Sequence, residues 1–298
     1  MNKHEFIPYK DHINKKFFSI ITPFKDREHL MNDYFECLSK QSFTDFEIVI
    51  SVDSGSKLSF KKTKKILKDI HNKFFKQNNL NIIEVPKRED NQLSSSGRAR
   101  NFAINAARGE WLTFLDSDDL FTKNKLVTLY DHIKRNNDIN FFTHDYRQQD
   151  FISNSEYDVT VNKSDISFKN LLFLKFHFLP SATCFKRSAI ELSGLFSLRY
   201  RRGQDWDWYL RLLDNELISH HHINQILTLR IIDGLNSSDK DFSKNLQFKK
   251  KIFYSHLFSL KNRRKNLVKI ISFIVSLNFK IFKYLIIIEP LKKIIKNK

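Results

Sequence analysis

The sequence predicts an α/β fold, a mainly parallel sheet with helices on both faces, followed by a basic helical extension. Two observations carry that expectation. Short apolar runs alternate four times with helix-patterned segments in the first part of the chain, the order from which parallel sheets are built. Polar and acidic clusters stand at the ends of those runs, and open parallel sheets bind ligands at the carboxyl ends of their strands. With 298 residues, 41% of them hydrophobic, the chain fits one large domain with an appendage.

The elements follow in order. Phe17-Phe18-Ser19-Ile20-Ile21-Thr22 reads as a buried strand stopped by Pro23. Residues 27–40 place Leu30, Tyr34 and Leu38 at helical spacing. Phe46 to Val52 is a second strand, closed by Asp53-Ser54-Gly55-Ser56. A lysine-rich helix fills 59–77, and Leu80 to Val85 is a third strand before Pro86. Ala99 to Ala107 patterns as a helix that Gly109 is expected to end. Trp111-Leu112-Thr113-Phe114-Leu115 is a fourth strand, running straight into Asp116-Ser117-Asp118-Asp119. Residues 140–200 mix short apolar runs with polar stretches, and a helical pattern resumes over Asp205 to Leu213.

Composition narrows the classes. Two cysteines, Cys37 and Cys184, leave no disulfide framework or zinc cluster and suit a reducing compartment; Cys184 reads as a core residue. Residues 1–16 lack the apolar run of a signal peptide, so a cytoplasmic catalytic part is expected. Net charge is +18, but residues 240–298 hold 16 Lys and Arg against Asp241 and Glu289, a surplus of +14. A basic tail on a near-neutral body implies an anionic partner surface. On a helix, Lys265, Lys269, Ser276, Lys280 and Lys283 share one side and Ile, Phe, Val and Leu the other. A spanning helix would bury lysines at about 2.5–3.5 kcal/mol each, whereas one lying in the interface buries none. Its alternative is a helix packed on the main domain with a solvated lysine face. Nucleic acid is not expected, because the aromatics are interleaved with aliphatics rather than set as stacking platforms.

The acidic cluster offers the clearest chemistry. Three carboxylates within four residues repel one another unless a cation sits among them. Hard ions such as Mg²⁺ or Mn²⁺ take oxygen ligands and share coordination between carboxylates and substrate phosphates. The same residues also suit a solvated turn or a helix N-cap. Asp205 has two readings as well, a general base or the cap of the helix holding Trp208, Leu210, Leu212 and Leu213. The run His220-His221-His222 suits metal binding poorly, because alternate side chains on a strand face opposite ways.

Over roughly residues 17–240 the chain resembles family 2 glycosyltransferases of the GT-A fold. Five segments carry the likeness: Ser19 to Arg27, Gln41 to Val49, Ala99-Arg100-Asn101 with Gly109-Glu110-Trp111, Phe114 to Asp119, and Gly203-Gln204-Asp205-Trp206-Asp207. The resemblance implies an inverting transfer of sugar from a nucleotide-diphosphate sugar donor to a glycan or lipid-linked acceptor, in bacterial surface polysaccharide synthesis. Pro23 and Phe24 would line the base pocket, Asp53 would contact base or ribose, and Arg100 would reach the nucleotide. Asp116 with Ser117 would touch the ribose side, Asp118 with Asp119 would hold Mn²⁺ or Mg²⁺, and Asp205 would be the base. The chain departs from the pattern at three places. Ser54 follows Asp53 where many relatives have a second aspartate, Gln204 precedes Asp205 where a glutamate is usual, and no histidine appears around Leu229 to Asp233, leaving Asp233 or water as a third metal ligand. The competing classes are a nucleotidyltransferase-like enzyme, which Pro23-Phe24-Lys25-Asp26 does not suit because it is not a Gly-rich phosphate loop, and a non-catalytic scaffold. The expected layout is a transferase domain over 1–240 and a basic amphipathic tail over 241–298, peripheral at the inner face of the cell membrane.

Overall fold

A computed structural model describes residues 15–77, 79–87, 96–234 and 242–259. The chain divides into two compact units, Met1–Ile252 and Phe253–Lys298, and the first holds the site described below. The lysine-striped segment expected over 265–283 lies outside the described residues.

The first half is the alternation read from the sequence. Strand β1 (Lys16–Phe24) leads through a short 3-10 turn into helix α1 (Met31–Ser39), followed by β2 (Phe46–Asp53), α2 (Phe60–Phe74), β3 (Leu80–Val85), α3 (Ser96–Ala106) and β4 (Gly109–Phe114). Helix α1 buries Met31, Tyr34, Phe35 and Leu38, and α2 buries Thr63, Leu67, Ile70 and His71, each the i, i+3/4, i+7 stripe of a helix laid on a sheet. Ser59 caps α2 by accepting from the Lys62 N–H. β1 to β4 are parallel in the order β3-β2-β1-β4, so the carboxyl ends of all four lie along one edge.

Two local expectations are corrected. Pro23 does not stop β1, which runs on to Phe24 with Pro23 opposite Ser51; a proline near a strand end removes one ladder donor while its fixed φ suits extended backbone. Gly109 does not end α3. It opens β4, where a Cβ would stand 2.5 Å from the Ser19 backbone nitrogen, so glycine is required by the close approach of β1. The C-terminus of α3 is held instead by the buried Arg187, whose guanidinium donates to the carbonyls of Ile104, Ala107 and Gly109.

The second half is mixed. β5 (Asp119–Phe121), α4 (Lys125–Arg135), β6 (Phe141–Asp150), β7 (Ser155–Val159), α5 (Phe168–Leu172), β8 (Thr183–Lys186), α6 (Arg187–Ser193), α7 (Gln204–Leu213), β9 (His220–Ile232) and α8 (Phe242–Ser259) complete the described elements. β8 joins β4 antiparallel, β6 pairs antiparallel with β8 and β7, and β9 runs parallel to β6 and antiparallel to β5. Among the described residues the nine strands form one sheet, mainly parallel only in its first half. The histidine run opens β9 and alternates as a strand must: His220 and His222 both meet the Thr143 hydroxyl at 2.8 Å, and His221 packs on Phe142. Cys184 is fully buried in the core. Among the described residues no helix is long and apolar enough to cross a membrane.

Candidate active site

The acidic segment is a turn with two inner and two outer residues. β4 adds one more bond past its end, from the Leu115 N–H to the Ile21 carbonyl, and the Asp119 N–H then returns to the Asp116 carbonyl at 3.0 Å. Ser117 and Asp119 are buried, while Asp116 and Asp118 keep partial access to solvent. The inner side is fixed by Ser181, whose hydroxyl accepts from the Asp116 N–H at 3.0 Å and donates to the Asp119 carboxylate at 2.5 Å. Burial first, then the charges of Asp116 and Asp118, raise the proton affinity of Asp119 well above the ordinary carboxylate range. Its carboxylate is thus taken up in holding the turn.

The outer carboxylates each meet an arginine. Arg100, on α3, places its guanidinium 2.5 Å from Asp116 and lies against the rings of both Phe114 and Phe196, 5.5 and 5.7 Å from their centroids. Arg27, on the loop after β1, is 3.6 Å from Asp118 and 2.9 Å from Asp233 at the end of β9. Burial and the Asp116 charge raise the Asp118 pKa to about 6, against the pull of Arg27 and with a further push from Asp233. The buried Asp119 also feels the charge of Arg230 on β9.

Asp205 arrives from the other half of the molecule, in the first turn of α7, where a helix N-terminus favours a negative charge. Gly203 enters that helix at φ 72°, and Ile252 of α8 lies 3.0 Å from where its Cβ would be, so a side chain there would be both strained and crowded. Burial would raise the pKa of Asp205, but the hydrogen bond and charge of His177, 3.3 Å away, the charge of Arg100 and the Trp206 N–H together lower it to about 2. Asp207, the neighbouring carboxylate, pairs with Arg211 at 3.2 Å.

Helix α3 ties the halves together. At its start the Gly97 N–H donates to the Gln204 side chain; in its middle Arg100 reaches Asp116; and Asn101 exchanges two 2.9 Å bonds with the backbone of Phe196. Gln204 also donates to the Tyr200 carbonyl, so it anchors the α7 entry. The Arg100 charge bears on Asp116 and Asp205 alike, which brings the turn after β4 and the α7 carboxylate to one site.

The remaining expected residues spread along the same edge. Asp53 ends β2 and accepts from the Gly55 N–H at 2.7 Å. It lines a cleft of about 870 Å³ with Ser54, Lys57, Glu84, Pro86, Lys87 and Phe102. That cleft lies at the ends of β2 and β3, away from the acidic turn. Pro23 is partly exposed at the strand end, but Phe24 is only 1% exposed and its ring belongs to the core. Strand alternation turns neighbours to opposite faces, so the Phe24 ring is not part of a base pocket. Sequence reading gave no role to Arg27, Ser181 or His177. The last two sit in residues 140–202, where the pattern was unreadable; Arg27 stood inside a recognised segment, but only folding shows the carboxylates it meets.

A divalent cation is the group this chemistry implies. Asp118 and Asp233 offer oxygen donors on either side of one guanidinium, and burial with the Asp116 charge raises the pKa of Asp118. Among the described residues no group of three or more His, Cys, Asp or Glu could hold a metal ion. The residues fit a cation that takes one or two carboxylates and completes its shell with phosphate and water, as Mg²⁺ and Mn²⁺ do.

Comparison with known proteins fixes the class. Residues 19–192 match the profile of glycosyl transferase family 2, and the chain belongs to that family of glycosyltransferases. It is 27% identical over 231 residues to an uncharacterized glycosyltransferase of Haemophilus influenzae, covering 77% of this chain and 73% of that one. It is 23% identical over 201 residues to the amylovoran biosynthesis glycosyltransferase AmsB of Erwinia amylovora, covering 65% and 63%. The crystal structure of S. aureus TarS 1–349 in complex with UDP-GlcNAc superposes with a TM-score of 0.58 at 18% identity, covering 84% of this chain and 74% of that one. These matches set aside the nucleotidyltransferase alternative.

Proposed function

We propose that the enzyme transfers a sugar, with inversion, from a nucleoside-diphosphate sugar to a hydroxyl of a surface glycan or lipid-linked acceptor. The observation that carries this reading is the convergence on Arg100 of two unlike carboxylate groups, the turn after β4 and Asp205 on α7. The incoming hydroxyl is a poor nucleophile and must lose its proton as it attacks. Asp205, held ionised by His177 and Arg100, is the base that takes it. The acceptor oxygen bonds to the anomeric carbon from the face opposite the bond to the diphosphate, which breaks and leaves with its electron pair. Asp118, with Asp233 beside it, would hold Mn²⁺ or Mg²⁺, which when bound supplies Lewis-acid stabilisation of the departing charge. Asp53 and the cleft beside it suit the nucleoside end of the donor. That TarS is known with UDP-GlcNAc bound supports a nucleotide-sugar donor for this chain.

A donor screen tests the reading. The protein is incubated with Mn²⁺ and a panel of nucleotide-sugars, and hydrolysis and protection against thermal unfolding are followed. One donor should stand out on both; a flat response across the panel overturns the reading.

The basic tail supports a peripheral position at an anionic membrane. Each Lys or Arg near an anionic leaflet contributes about 1 kcal/mol, and +14 of the +18 net charge falls in residues 240–298. The full chain should pellet with anionic vesicles and release as salt rises, and a variant ending at Ser259, which keeps helix α8, should pellet less. Equal pelleting of both forms, or indifference to lipid charge, refutes the anchor.

A further inference from the structure

Arg27 holds a position that the transfer itself has not yet used. Asp26, the residue before it, stands in the left-handed region at φ 53°, which aspartate tolerates better than most side chains. The Asp26 carboxylate accepts from the Lys57 N–H at 2.6 Å, so the loop that presents Arg27 is pinned from behind. Its guanidinium lies 2.9 Å from Asp233 and 3.6 Å from Asp118, with its side chain only 13% exposed. Both carboxylates come from ends of strand structure, one just ahead of β5 and one just past β9. One guanidinium is thus shared by two carboxylates, while Arg100 meets Asp116 in the neighbouring pair.

Asp118 and Asp233 are also the oxygen donors that suit a divalent cation. A guanidinium and a divalent ion confined between the same two carboxylates, at about 4 Å, repel strongly in a partly buried setting. They exclude one another. The planar fork of an arginine pairs well with phosphate oxygens, and the donor's diphosphate is the anion that the proposed reaction brings to this edge. We propose that Arg27 is a resident counter-cation: it holds Asp118 and Asp233 together until a divalent ion takes its place, and then turns to the donor's diphosphate. This rests on the metal-assisted reading above and adds an exchange of one cation for another.

The test measures Mn²⁺ binding by electron paramagnetic resonance of the free ion, on the full chain without nucleotide and then with UDP or GDP. In Arg27→Gln the competitor is gone, so Mn²⁺ alone should bind about tenfold tighter, within the usual range for coupled sites. In the same variant UDP or GDP should bind more weakly than to wild type at saturating Mn²⁺, because the phosphate partner is lost. Arg27→Lys keeps a charge there and should bind Mn²⁺ within a few-fold of wild type. Mere structural damage would weaken Mn²⁺ binding in the Gln variant; unchanged or weaker binding there overturns the exchange, as does a Lys variant that behaves like Gln. Wild-type protein that binds no Mn²⁺ even with UDP or GDP overturns the metal-assisted reading itself, and the exchange with it. The wild-type and variant arms therefore separate the two failures.

Discussion

The acidic turn and the start of α7 meet at one site, and their carboxylates are tuned in opposite directions. At the turn, burial and mutual repulsion push Asp118 up to about 6 and raise Asp119 well above the ordinary carboxylate range. At the start of α7, His177 and Arg100 outweigh burial and draw Asp205 down to about 2. The first arrangement gathers buried acids that repel one another. In the second, neighbours hold one carboxylate ionised, the state a general base needs before it takes a proton. The difference teaches that roles among like residues are set by their neighbours, not by residue type.

The largest effect should come from the turn. Asp118→Asn removes the outer carboxylate, so turnover should be lost along with the Mn²⁺-dependent rise in melting temperature on adding the nucleotide that wild type binds. An unaltered metal dependence of melting would remove the turn as the place where the cation is held. Asp205→Asn, at the start of α7, should cut transfer by roughly 10²-fold or more while donor affinity stays within a few-fold. If transfer survives, the base lies elsewhere; Asp207 is a poor successor because Arg211 already holds it.

His177 sharpens the comparison through pH. Its hydrogen bond and charge lower the Asp205 pKa, so His177→Ala should raise it. With Asp205 as the proposed base, the acid limb of the rate profile should move to higher pH, with only a few-fold loss near neutrality. An acid limb that stays where it was would show that His177 does not tune the base. The smallest effect belongs to Ser181, which braces Asp119 and Asp116 from inside. Ser181→Ala should lower stability by about 1–3 kcal/mol, the scale for leaving buried polar groups unpaired. Urea unfolding measures it, and a loss within error would remove Ser181 as the brace.

Much of this was legible along the chain, and for local reasons. The four parallel strands announced themselves because each is a short apolar run closed by polar residues, and that signal needs no long-range contact. The acidic turn and Asp205 stood out because their spacing is carried by five ordered segments. What stayed hidden depended on partners far away in sequence. Arg27 meets Asp233 across 206 positions and Ser181 meets Asp119 across 62, separations that no window of residues contains. Gly109 looked like a helix stop, and only the backbone of β1 pressing on it reveals why glycine is needed. Residues 140–202 were unreadable because β6 and β8 are buried strands of a mixed sheet, whose burial comes from neighbours on both sides rather than from their own period.

The sequence by itself thus determined the class of fold, the order of its first strands and the family, since periodicity and ordered motifs are properties of the chain. The tertiary structure alone decided which acids are raised and which is lowered, because proton affinity depends on burial and on charges within a few ångströms. It also decided that Phe24 belongs to the core and that Arg27 stands between two carboxylates, since the direction of a side chain at a strand end is fixed only when the sheet has formed.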